Sequence, residues 1–449
     1  MNRTGIILML ILTTALIVDT ITANIYDLIS EELASSWGLV FFISNSAIIL
    51  GTGLLLLLGF IKQKSENLRT TNSAFNKLYK LVKVAQFLII IVFLIMVIQI
   101  ITTSQYSVTW LIIIVVVSSI PFYITMSLLT YRFFLWYRSN IRNVIVLLYG
   151  LATGCLLVGQ AILDVGVNSV LLDAPVVIES ATAGSQVEFP SSNSSYSMTD
   201  ISSLFLDLAT VVLIIDFILL WIASAVLLYG YSQRLVRSRI YWMTIFLPLG
   251  IFLFGLFPTL LGIPTADFIF FERDIVLFRV LTTLATIAGG LLFGVSFIAL
   301  SRRMQQIRQK MVPDYLKIAG YGIALLPIAI VAGIVFIPYP PVGSATCATL
   351  ALASYLFYIG IYSSAISISE DAELRRSIRR TAENELKLLD SIGTAQMNVQ
   401  LQDKVTRLVK EYADKMTSKA GVHPYLSQED AKQYLKEVME ELDKHRGPK

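Results

Sequence analysis

Along most of this chain the apolar residues do not alternate with polar ones at the period of a water-facing helix or strand. They run together in stretches of twenty or more, divided by short polar segments. A segment that is apolar on every face gains nothing from water, and a bilayer core about 30 Å thick is crossed by about 20 such residues in a helix, which satisfies its own backbone groups. Ten runs qualify: 5–25, 37–61, 84–103, 108–130, 143–165, 201–230, 240–262, 275–300, 316–337 and 345–367. The pattern predicts an all-α, polytopic membrane helix bundle with about ten transmembrane helices.

Beyond residue 368 the pattern changes to an amphipathic one. Ser367 to Arg380 contains no helix breaker, so the last transmembrane helix is expected to continue out of the membrane. Leu374, Ile378, Ala382, Leu386 and Leu389 recur at three to four residues as one apolar stripe. Gly393 is read as an interruption, followed by a second stripe at Leu401, Val405, Leu408, Tyr412 and Met416. After a break over 421–426, Ser427-Gln428-Glu429-Asp430 has the form of a capping box opening a final helix to Lys444. Two domains follow: a transmembrane bundle over 1–368 and a small cytoplasmic helical C-terminal domain over 369–449. A helix leaving the membrane with one apolar stripe must bury it, against its own later helices, a second copy of the chain or a cytoplasmic protein partner.

Composition supports this division. The chain is 55% hydrophobic and 15% charged, against about 25% charged in a soluble domain. Residues 370–449 carry 15 Lys/Arg and 15 Asp/Glu, leaving 20 and 16 for everything before them. Of those 20 basic residues, 17 fall in alternate connections, at 62–83, 131–143, 231–240 and 301–317. The intervening connections carry acids or nothing, except at Arg273. Cytoplasmic loops concentrate Lys and Arg, so an even number of helices with both termini in the cytoplasm is expected. The net charge of +4 reflects that orientation and implies no nucleic acid; the bilayer is the partner the composition names. The first helix is read as uncleaved, since no small-residue cleavage site precedes Asp19. The connection 166–200 is the longest on the outer side, Ser-rich and acidic, and Asn193-Ser194-Ser195 is a sequon on that side. Cys155 and Cys347 lie inside apolar runs as small packing residues.

Ionisable residues at membrane depth are expensive and are functional candidates by default. Here they are Asp19, Asp164, Asp207, Asp216 and Arg279. Counting along each helix puts Asp19, Asp207 and Arg279 at a common depth, roughly 9 Å from the outer surface. Two readings fit such a cluster: an ion or ligand site, or an ion pair that fixes helix packing. Asp216 lies near the bilayer middle, nine residues after Asp207 and so on the opposite helix face. Arg375, Arg376, Arg379 and Arg380 stand at the inner surface, where they meet lipid headgroups or simply flank the membrane as solvated charge. No phosphate-cradling glycine loop and no metal-spaced Cys/His cluster is present, so no cofactor and no nucleotide-driven enzyme is implied.

The loop Ile337 to Pro341, the helix end Gly360 to Asp371, the basic segment Leu374 to Arg380 and the segment Leu388 to Met397 carry a resemblance. Over about residues 315–400 the chain resembles an uncharacterised family of predicted multi-pass membrane proteins from ammonia-oxidising archaea. The resemblance implies an archaeal plasma membrane and brings no catalytic residues. Three function classes remain: a sensor or signalling component relaying a signal through the last transmembrane helix to the tail, a transporter or channel for a small solute or ion, and a structural subunit of a membrane complex.

Overall fold

The computed structural model describes residues 3–25, 31–61, 73–139, 143–173, 177–179, 200–235, 242–243, 245–253, 272–306, 311–332, 340–381 and 387–420. In chain order the helices are α1 (Arg3–Ile25), α2 (Glu31–Leu55, finished by a π-helical turn Leu56–Ile61), α3 (Ser73–Thr103), α4 (Val108–Ser139), α5 (Val144–Asp173) and α6 (Asp200–Leu235). They continue with α7 (Glu272–Gln306), α8 (Val312–Ala332), the single turn α9 (Ser344–Cys347), α10 (Leu350–Glu370), α11 (Ala372–Thr381) and α12 (Lys387–Ala420). Among the described residues nine helices are long and apolar enough to cross a membrane. The expected run at 240–262 is described only in part, helical over 245–253.

Neighbouring helices pack antiparallel. Gly166 and Gly159 of α5 meet Leu206 and Leu213 of α6, and Gly290 and Gly294 of α7 meet Ala324 and Gly320 of α8. This brings Arg132, Arg138, Arg302, Arg303 and Lys317 to the end of the bundle that also carries α12, called the tail side below. At the centre stands α10, whose residues are all buried except Ser367 and Glu370. In lipid no hydrophobic effect pulls helices together, so small residues that admit close backbone approach do the work. Gly360 of α10 sits on the backbone of Ala319, and Gly322 of α8 sits on the backbone of Phe357. The small-residue pairs Gly150/Gly154 and Gly290/Gly294 are likewise filled from within the chain, by Phe133 and Thr130 of α4 and by α8.

Three local features depart from the sequence expectations. First, α3 begins at Ser73 and carries Lys77, Lys80 and Lys83, which were assigned to a loop. Second, α5 runs on to Asp173, and Val177–Glu179 then forms β2, which pairs antiparallel with β1 (Gln105–Ser107) between α3 and α4. The ribbon is too short to leave a period in the sequence. Third, the last transmembrane helix does not continue into the tail. Asp371 adopts an extended conformation (φ −100°, ψ 105°) and its Oδ1 accepts a hydrogen bond from the Leu374 amide (2.9 Å), so that it caps α11 instead of extending α10. Aspartate favours this role because its side chain competes for backbone amides better than it tolerates a helix interior.

Gly393 does not break the tail either. It lies inside α12, where Ile368 of α10 packs against it so closely that a Cβ would clash with its side chain. No helix boundary falls at Gly393: residues 387–420 are one helix, distinct from α11, and the expected helix over 427–444 lies outside the described residues, as does Asn193.

Candidate functional site

Residues 340–349, ahead of α10, lie inside the bundle on the side opposite the tail. Residues 340–350 are all buried, and Gly343 holds a left-handed backbone (φ 93°) that starts the turn α9. Asp19 of α1 meets this turn. Its Oδ2 accepts a hydrogen bond from the Thr346 hydroxyl (2.6 Å) and its Oδ1 one from Asn45 Nδ2 of α2 (3.1 Å), and the backbone amides of Gly343 and Thr346 also face it. These donors oppose part of the cost of burying the carboxyl group, and among the described residues no basic side chain joins them. Asp19 therefore ties α1, α2 and the turn α9 together.

A second buried carboxylate, Asp164, stands nearby. Asp164 of α5 accepts hydrogen bonds from the hydroxyls of Ser119 and Tyr123 on α4 and from Gln160 Nε2 (2.7 Å). The buried Cys347 of α9 lies within electrostatic range of both Asp19 and Asp164. The half of the bundle opposite the tail is thus organised by two carboxylates held by neutral donors. The signal missed in the sequence was Ser119 and Tyr123, four residues apart and so on one face of α4.

Asp207 does not join Asp19. Its side chain is exposed on α6 whereas Asp19 is 1% exposed, and Arg279 is described only in its helical backbone. Among the described residues the groups that meet Asp19 are Asn45, Thr346 and the Gly343 backbone. Asp216 is different in kind. It is 5% exposed, in the middle of α6, and its Oδ1 has no hydrogen-bond partner among the described residues.

On the tail side the first half of α12 is bound to the bundle. Gln396 Oε1 accepts from Trp136 Nε1 of α4 (3.1 Å), Ser391 accepts from Asn143, and Ser369 of α10 donates to Gln400 Oε1 (3.1 Å). Leu388, Leu389, Ile392 and Ala395 are buried beneath them. The floor of this dock is aromatic: Trp136 stacks on Tyr362, Phe75 stacks on the same ring, and the Arg132 guanidinium lies 4.9 Å from its centroid. Arg375, expected at lipid headgroups, turns back to donate to the carbonyls of Ile368 and Ser369 at the end of α10. Arg376 is exposed, and the side chains of Arg379 and Arg380 lie outside the described residues. Over 401–411 the described side chains of α12 are exposed or half-buried, with Leu401 and Leu408 exposed.

These features define an all-α, multi-pass membrane protein with buried carboxylates on one side and a docked helix on the other. No family model, curated protein or solved structure matches the chain. Among the described residues no group of three His, Cys, Asp or Glu is placed to hold a metal ion.

Proposed function

We propose that the protein is a membrane-embedded sensor or signalling component whose bundle state is passed to the cytoplasm through α12. The observation that carries this reading is the dock itself. The central helix α10 touches α12 through the Gly393 and Ile368 contact and the Ser369 to Gln400 hydrogen bond. A shift of α10 is felt directly by a helix whose far half stands clear of the membrane. The break at Asp371 removes a continuous helix as the relay, and side-on packing takes its place. Residues 401–411, with Leu401 and Leu408 exposed between charged positions, then present an amphipathic face to a cytoplasmic helical partner.

The test places spin labels at Arg138→Cys and Asp403→Cys in a Cys155→Ala, Cys347→Ala background and reads their separation in the reconstituted full chain. A signalling unit changes the distance distribution when Asp164→Asn is introduced on the far side of the bundle. An unchanged distribution would refute the relay. Solute or ion flux through the same proteoliposomes would select the transporter class instead.

A further inference from the structure

Among the described residues, Asp216 is the carboxylate of the bundle interior that no neighbour satisfies. Asp19 and Asp164, at similar burial, each collect hydrogen bonds from three or more neutral groups. Asp216 Oδ1 collects none among the described residues. From α5 the nearest titratable group is Cys155, with Tyr149 further toward the tail side, and the stretches 280–301 and 245–253 that flank α6 contain no acid or base. An anion at membrane depth without a partner is strongly disfavoured, and among the described residues no basic side chain is placed beside Asp216, so a bound proton or other cation would satisfy it.

The surroundings of Asp216 are asymmetric. Toward the side opposite the tail, the α5/α6 interface is sealed by Leu213 on Gly159 and Leu206 on Gly166, with the leucines at van der Waals contact or closer to where a Cβ would stand. Toward the tail side, beyond the buried Leu156 and Leu220, three hydroxyls gather. The hydroxyls of Ser224 on α6 and Ser296 on α7 adjoin that of Tyr149, which is fully buried, and neither Tyr149 nor Ser224 completes a well-formed hydrogen bond among the described residues. Ser224 is eight residues beyond Asp216, about 12 Å along the helix. Incompletely bonded buried hydroxyls are groups that an entering ion or water would satisfy.

We propose that Asp216 is the ligand of a monovalent cation site at the α5/α6 interface, loaded from the tail side past Ser224, Tyr149 and Ser296, the cation being a proton or an alkali ion. The site is independent of the relay through α12. It gives a role to an aspartate at a position where an apolar residue would pack without cost, with incompletely bonded hydroxyls toward the tail side.

The test uses the full chain in liposomes of uniform orientation and dicyclohexylcarbodiimide, an apolar reagent. A protonated carboxyl adds across its C=N bond, and the adduct rearranges to a stable N-acylurea that peptide mass spectrometry locates. The label is expected on Asp216, and it falls as pH rises in the compartment that holds the tail. If the cation is a proton, exchanging sodium chloride for choline chloride changes nothing; if it is an alkali ion, sodium protects the residue at fixed pH. An unlabelled Asp216 at every pH overturns the site, as does labelling indifferent to both pH and sodium. Labelling that follows the pH of the opposite compartment overturns the loading route.

Discussion

The α7/α8 crossing makes a sharp quantitative test of the fold. A Cβ added at Gly294 would stand 2.7 Å from the Gly320 carbonyl oxygen and 2.8 Å from Ala324 Cβ, and one added at Gly320 would stand 2.8 Å from the Gly294 carbonyl oxygen. Backbone cannot swing aside as a side chain does, so Gly294→Ala must push the two helices apart by about 0.7 Å to reach ordinary contact. A gap of that size forfeits roughly a quarter to a half of the dispersion energy of each contact it opens. Overpacking of this kind costs about 1–3 kcal/mol, and loss of the close Cα–H···O contacts adds about 0.5–1 kcal/mol. The better helix propensity of alanine returns at most about 1 kcal/mol. The expected net loss is therefore about 1–3 kcal/mol. Gly51→Ala is the control, since nothing lies within 4 Å of its added methyl, and it should be neutral or slightly stabilising. Reversible unfolding in mixed micelles, followed by circular dichroism, measures both. Equal stability of the two variants would refute backbone-on-backbone packing of α7 and α8.

The buried carboxylates should separate by the same assay. Asp164→Asn sets a donor against Ser119 and Tyr123 and should destabilise by about 1–3 kcal/mol, whereas Asp216→Asn, with no partner to lose, should be neutral or stabilising; the reverse order would contradict the hydrogen-bond assignments. Gly393→Leu should lift α12 from Ile368 and raise the rate of limited proteolysis within 387–420 while leaving the bundle folded, and unchanged protection would show that the dock does not depend on that contact. Trp136→Phe keeps the ring stack and removes the bond to Gln396, so it should loosen the tail by about 0.5–1.5 kcal/mol, read by hydrogen exchange of α12 amides. Asp371→Ala should fray the start of α11 at a cost of about 1 kcal/mol, visible as faster exchange at Leu374.

How much of this was legible beforehand differs from site to site. Asp19 and Asp216 were marked by polarity at membrane depth alone, since any charge there is conspicuous. Their partners were not, because Asn45, Thr346 and the left-handed Gly343 are ordinary residues until the chain brings 19 and 346 together. Arg375 had the composition of a headgroup binder, and only the turn at Asp371 aims it back at the carbonyls of α10. Gly393 carried the opposite meanings of breaker and crossing point, and a neighbour from another helix decides between them.

The chain's hydropathy determined the solvent and the helical class, because both follow from transferring segments of about 20 residues into lipid, a property of each segment by itself. Which helix stands at the centre, which carboxylate is satisfied and where the tail is held were decided only in three dimensions. Lipid offers an apolar helix no preferred neighbour, so close packing at glycines and hydrogen bonds between residues as distant as Trp136 and Gln396 make that choice.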